Sequence, residues 1–89
     1  MNTSEAIANI RALASRPITS VESLNEWYSD AARFQDALKT SGGLGDRIPH
    51  FVWHYLSDAD LRFKDPGYAA IQQRQLEEAL IQMEKSCAV

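Results

Sequence analysis

Residues 48–56 read Ile48-Pro49-His50-Phe51-Val52-Trp53-His54-Tyr55-Leu56. At about 3.6 residues per turn this stretch makes about two and a half turns of helix. Ile48, Phe51, Val52, Tyr55 and Leu56 then share one side, in the i, i+3, i+4, i+7, i+8 pattern of a core-facing stripe. The other side carries His50, Trp53, His54 and Ser57 where a surface helix usually carries charge. A helix apolar on one face and aromatic and imidazole-bearing on the other is either buried on both sides or presents a surface to be covered.

Three longer helical segments flank it. The first runs from about Ser4 to Ser15, with Asn2 and Glu5 spaced for a capping box. Ala6, Ile7, Ile10, Leu13 and Ala14 fall on one side, and Pro17 stops the helix. The second runs from about Ser20 to Thr40 behind a Thr19-x-x-Glu22 capping box. Its Leu24, Trp27, Ala31, Phe34 and Leu38 recur at +3, +4, +3, +4, a narrow bundle-type seam that Tyr28 widens. Glu22, Glu26, Asp30, Arg33 and Asp36 lie opposite. Ser41-Gly42-Gly43 ends this helix, because glycine takes the left-handed conformation without a Cβ clash.

The aromatic helix starts at Asp46 or at Pro49, a residue suited to a first turn, and reaches Ser57. Ser57, with Asp60 three residues on, reads as a further helix start, so a short helical turn is expected near 58–63. Asp65-Pro66 is an N-cap followed by an N1 proline and opens a last helix running to about Ser86. Its stripe is Tyr68, Ala69, Leu76, Ala79, Leu80, Met83 and Cys87. Gln72 sits in the middle of that stripe, and an amide is costly in a core unless hydrogen-bonded. Ile71 and Ile81 break the pattern, lying on the face of Arg74, Glu77, Glu78 and Lys85. The expected fold is all-α: a small four-helix, bundle-like single domain over residues 1–89, with a short extra helical turn near 58–63.

Composition narrows the function classes. The 89 residues are 45% hydrophobic and 24% charged, as in an ordinary globular domain. The formal net charge of -3, with basic residues scattered, opposes an extended phosphate-binding surface. The aromatic helix holds no Arg or Lys to read a base edge, so no nucleic-acid partner is expected. No run approaches the roughly 20 apolar residues of a membrane span, and no membrane partner is expected. The one cysteine, Cys87, has no second thiol to pair with. The start, Met1-Asn2-Thr3-Ser4-Glu5, lacks the basic and apolar regions of a secretion signal. A cytoplasmic setting is the expectation.

Two function classes remain. His50 and His54, at i and i+4, place two imidazoles on one helix face, with Asp58 a further turn along; such a set is chemically suited to zinc or iron. Against it, the metalloprotease signature needs Glu directly after the first His, where Phe51 stands. A His-based enzyme would use His54, oriented by Asp58, beside Ser57. The acidic stripe Glu22, Glu26 and Asp30 reads as a solvated face partly neutralised by Arg33. The favoured class is association. Trp and Tyr dominate interface hot spots, and Trp53, Ile71 and Ile81 point away from their own core stripes. The expected partner-binding residues are therefore His50, Trp53, His54, Ile71 and Ile81, for a protein partner or a second copy of the chain, with no cofactor. Histidines at that contact would make association pH-dependent, since imidazole changes charge between pH 5 and 8.

Overall fold

A computed structural model describes residues 1–87, and among these every regular element is helical. The order is α1 (Thr3–Ser15), α2 (Val21–Lys39), a 3₁₀ turn (Leu44–Arg47), α3 (His50–Ser57), α4 (Ala59–Lys64) and α5 (Pro66–Cys87). The expected four helices and extra turn become five helices, the extra turn being α4.

The helix ends follow from specific polar contacts. Asn2 caps α1 by accepting the Glu5 amide at 2.8 Å, as its spacing predicts. The start of α2 is a correction. The capping box is not Thr19 with Glu22 but Ser20 with Ser23. Ser20 Oγ accepts the Ser23 amide at 3.1 Å, and Ser23 Oγ accepts the amides of Ser20 at 3.0 Å and Thr19 at 2.9 Å. The Ser23 hydroxyl thus satisfies two backbone donors at once, and the start moves one residue on. After α2 the chain turns through Gly42 and Gly43, at φ 52° and 77°.

Pro49 stands one residue ahead of its expected place, as the N-cap of α3. The break between α3 and α4 also falls later than expected. Ser57 does not cap; it is the last residue of α3, and its hydroxyl donates back to the Trp53 carbonyl at 3.0 Å. Asp58 is the hinge, its amide directed to the Tyr55 carbonyl at 3.4 Å and its carbonyl accepting the Arg62 amide at 3.1 Å. Asp65 caps α5 as its sequence predicts, accepting the Tyr68 amide at 3.1 Å.

Helices α1, α3 and α4 pack against α5, and α2 lies against α1, α4 and the 3₁₀ turn. The molecule measures 39 × 24 × 17 Å. The thinnest dimension has room for about two helix layers at 8–10 Å spacing, so each helix has one face to the core and one to solvent. The core joins Ile7, Ile10 and Leu13 of α1 to Trp27, Phe34 and Leu38 of α2, Val52, Tyr55 and Leu56 of α3, and Leu76, Leu80 and Met83 of α5. Phe51 and Leu24 are only partly buried at its edge. On the outside, Arg11 bridges α1 to Glu77 and Glu84 of α5, an exposed pairing that contributes little. The stripe position assigned to Cys87 lies outside the described side chains.

Candidate functional site

The nominated residues fall on two outward faces. His50 and His54 stand exposed on α3, their rings 4.8 Å apart and edge to face. Trp53, between them, is half-buried and packs on the edge of the core. Ile71 is 58% exposed and Ile81 39% exposed, on the side of α5 opposite Leu76 and Leu80. The carboxylate of Asp58 is engaged by α5: Oδ2 accepts the Tyr68 hydroxyl at 2.9 Å and Gln72 Nε2 at 3.0 Å. Among the described residues, no three His, Cys, Asp or Glu side chains gather as a metal site would require.

That Asp58 contact opens onto the most unusual feature of the molecule. Gln72, 3% exposed, donates from Nε2 to Asp58 and to the Tyr68 hydroxyl, and its Oε1 accepts Arg62 Nη1 at 2.8 Å. The amide in the middle of an apolar stripe is thus bonded at both ends, as its burial demands. Arg62 is itself buried, at 8% exposure. Its guanidinium lies 3.6 Å above the Tyr55 ring and 5.2 Å from the Trp27 ring. Nη1 also donates to the Tyr55 carbonyl. Among the described residues, no carboxylate pairs with it directly. Nη2 is the one buried side-chain polar atom among the described residues without a hydrogen-bond partner. Burial pulls the guanidinium below the usual arginine value, opposed by the neighbouring Tyr55, Tyr28, Asp58 and Tyr68.

Arg62 lines a cavity of about 330 Å³ between α1, α2, α3, α4 and the start of α5, a volume within the range of small-molecule sites. Rings of Trp27, Tyr55 and Phe63 and aliphatic groups of Leu13, Ile18 and Ala69 supply much of its wall. Two straps hold the wall in place. Trp27 Nε1 donates to the Leu13 carbonyl at 2.9 Å. Gln73 accepts the Tyr55 hydroxyl at 2.8 Å and donates to the Ala14 carbonyl at 2.8 Å. At the rim, Arg16 is held by Asp30, whose carboxyl it draws below the usual range.

The same network sets an alkaline limit. Burial raises Tyr55 and Tyr28, and the bond to Asp58 raises Tyr68, all above the ordinary tyrosine value. The folded chain therefore holds its phenolic protons more tightly than the unfolded chain does. The stability this contributes is fully present below about pH 10, the unfolded value. It is lost as pH rises through the raised folded values. In an absorbance titration at the phenolate band, the tyrosines are expected to ionise later than in the urea-unfolded chain, and the melting temperature to fall over the same pH interval. Ionisation coincident with the unfolded chain would contradict this arrangement.

Arg62 was not among the residues singled out from the sequence. Two signals pointed to it. It follows the small residue Ala59 by three positions, on the same side of α4, and Gln72 in the α5 stripe called for a buried polar partner. Comparison with known proteins returns no matching family model, curated protein or solved structure.

Proposed function

We propose that this chain is a small interaction module that works by holding another protein chain, a second copy of itself, and not by catalysis. The observation that carries this reading is the outer face of α5. Ile71, Arg74, Glu78 and Ile81 are spaced +3, +4, +3 there, the seam spacing of packed helices. Their positions are self-complementary. Two α5 helices laid antiparallel about a twofold axis near Leu76 set Ile71 against Ile81 of the other copy, twice, and Arg74 against Glu78 of the other copy, twice. Among the described residues, neither Arg74 nor Glu78 forms an ion pair within the chain. Trp53, by contrast, already rests on its own core and has less apolar surface to offer.

Burying an isoleucine from full exposure is worth about 1.5–3 kcal/mol, and these are only partly exposed. Association itself costs an estimated 4–15 kcal/mol. The dimer is accordingly weak and concentration-dependent. A reducing, cytoplasmic setting is proposed with it, on the single thiol of Cys87, which has no second cysteine to pair with.

Sedimentation equilibrium up to about 1 mM tests the reading. Wild type is expected to shift towards dimer mass with concentration. Ile71→Glu, on an exposed position, is expected to keep the melting temperature and abolish the shift. Arg74→Glu weakens association, because two carboxylates then meet across the axis. Arg74→Glu with Glu78→Arg restores it. A chain that stays monomeric throughout, or a double swap no better than the single, would overturn the proposal.

A further inference from the structure

We propose that the cavity beside Arg62 is a binding site for a carboxylate carried on a flat apolar body, with Arg62 as its anion anchor. This inference stands apart from the α5 seam, since none of the cavity's lining residues belongs to that seam.

The first support is the state of Arg62. A guanidinium taken out of water is costly unless an opposite charge and a full set of acceptors compensate it. Here a backbone carbonyl, an amide oxygen and two aromatic rings serve in place of a carboxylate. Nη2 keeps its donors unused. The guanidinium fork matches a carboxylate better than any other common group, so an acidic ligand would supply both the missing charge and the missing acceptor.

The second support is the rest of the wall. Trp27, Tyr55 and Phe63 contribute aromatic lining, and Leu13, Ile18 and Ala69 contribute aliphatic lining. A few placed polar groups in a largely apolar cavity is the usual composition of a ligand site. The lining contains no His, Cys, Ser, Lys, Asp or Glu. The site therefore has no evident nucleophile or neutral-pH general base and is suited to hold a ligand unchanged.

The third support is the build of the wall itself. Nη2 is covered, so an acceptor reaches it only if the wall gives slightly. Phe63 sits on α4, a six-residue helix between the hinges Asp58 and Asp65, the element of the wall with the shortest run of helical hydrogen bonds. Closure over a bound acid would exclude water from the charge pair and strengthen it.

Titration of the ¹⁵N-labelled 89-residue chain with indole-3-acetate, and separately with indole-3-acetamide, tests the proposal. The acid is expected to shift the Trp27 indole N–H saturably and to bind at least about tenfold more tightly than the amide. Ala69→Leu, which reduces the cavity from its half-buried wall, is expected to weaken binding of the acid. Arg62→Met, which keeps the stem and removes the charge, is expected to erase the preference for acid over amide. Should Arg62→Met fail to fold, the acid–amide comparison in wild type and the Ala69→Leu variant still decide the matter. A short peptide ending in a phenylalanine carboxylate, set against its C-terminal amide, separates the two sources of such a group. Tighter binding of the peptide acid than of indole-3-acetate assigns the site to a protein terminus; weaker binding assigns it to a free small acid. Equal affinity for acid and amide, no saturable shift up to about 10 mM, or binding indifferent to Ala69→Leu would overturn the proposal.

Discussion

Arg62→Ala is expected to lower the stability of the folded chain by about 3 kcal/mol, the scale of two lost hydrogen bonds from a charged donor. Three losses combine. The Gln72 Oε1 and the Tyr55 carbonyl lose a charged donor, and a hydrogen bond to a charged group is worth about 1.5–3 kcal/mol. The stacking of the guanidinium on Tyr55 and Trp27 disappears, a desolvated contact worth up to about 2 kcal/mol. The side chain leaves space against α5. One gain opposes these, since the unpaired Nη2 and the buried charge go with it, and that gain keeps the net below the sum. For a domain of this size the melting temperature would drop by roughly 12–24 °C. Arg62→Met, which fills most of the space, should cost distinctly less, because replacing a buried charge by an apolar group of similar shape is often near neutral. Thermal melts of both variants check the order. An alanine variant as stable as wild type would mean that the side chain lies in water.

Trp27→Ala is expected to cost more still. Trp27 is 1% exposed and stands where α1, α2 and α3 meet: edge to face with Tyr28 and Tyr55, beside Arg62, and donating to the Leu13 carbonyl. Truncating a buried Trp costs about 3–5 kcal/mol through lost transfer energy and residual cavity. Leu13 keeps a second donor in the Arg16 amide at 3.3 Å, so the carbonyl is not fully orphaned. A domain of about this length has only some 5–13 kcal/mol in total. The variant should therefore lose a large share of its stability, with the melting temperature by circular dichroism lowered by roughly 12–40 °C. Trp27→Phe keeps most of the ring and loses the strap, and should fall between. A melt of Trp27→Ala at the wild-type temperature would place the indole outside the core.

The contrast with Trp53 shows how far the sequence could be read. The periodic segments were legible because long amphipathic helices announce their buried side: the seam of Trp27, Ala31, Phe34 and Leu38 and the stripe of Leu76, Leu80 and Met83 are buried as their spacing predicts. The inward face of α3 was legible for the same reason. What periodicity cannot weigh is a residue at the flank of a stripe. Trp53 lies about 100° from Val52 on the helical wheel, close enough to rest on the core edge and only half available outside. The exposure of Ile71 and Ile81 was visible because they break a stripe of more than five turns.

Arg62 was hidden because α4 is too short to show a period, and because an arginine near Lys64 reads as surface charge. Only its spacing from Ala59 and the amide of Gln72, whose burial needed a partner, hinted at it. The overlapping cap signals at Thr19 and Ser20 were ambiguous from sequence, since both offer a hydroxyl with a partner three residues on; the competition was decided by the backbone donors that Ser23 reaches.

The burial of Arg62 joins the fold to the cavity, and ¹⁵N NMR of the arginine side chains tests it without altering the chain. With Arg62 against the rings of Tyr55 and Trp27 and bonded at Nη1, one guanidinium is expected to give separate, slowly exchanging Nη–H signals, displaced by ring currents and lost in Arg62→Met. Six arginines that all exchange as rapidly as the free amino acid would contradict the caged cation and the ligand site argued from it.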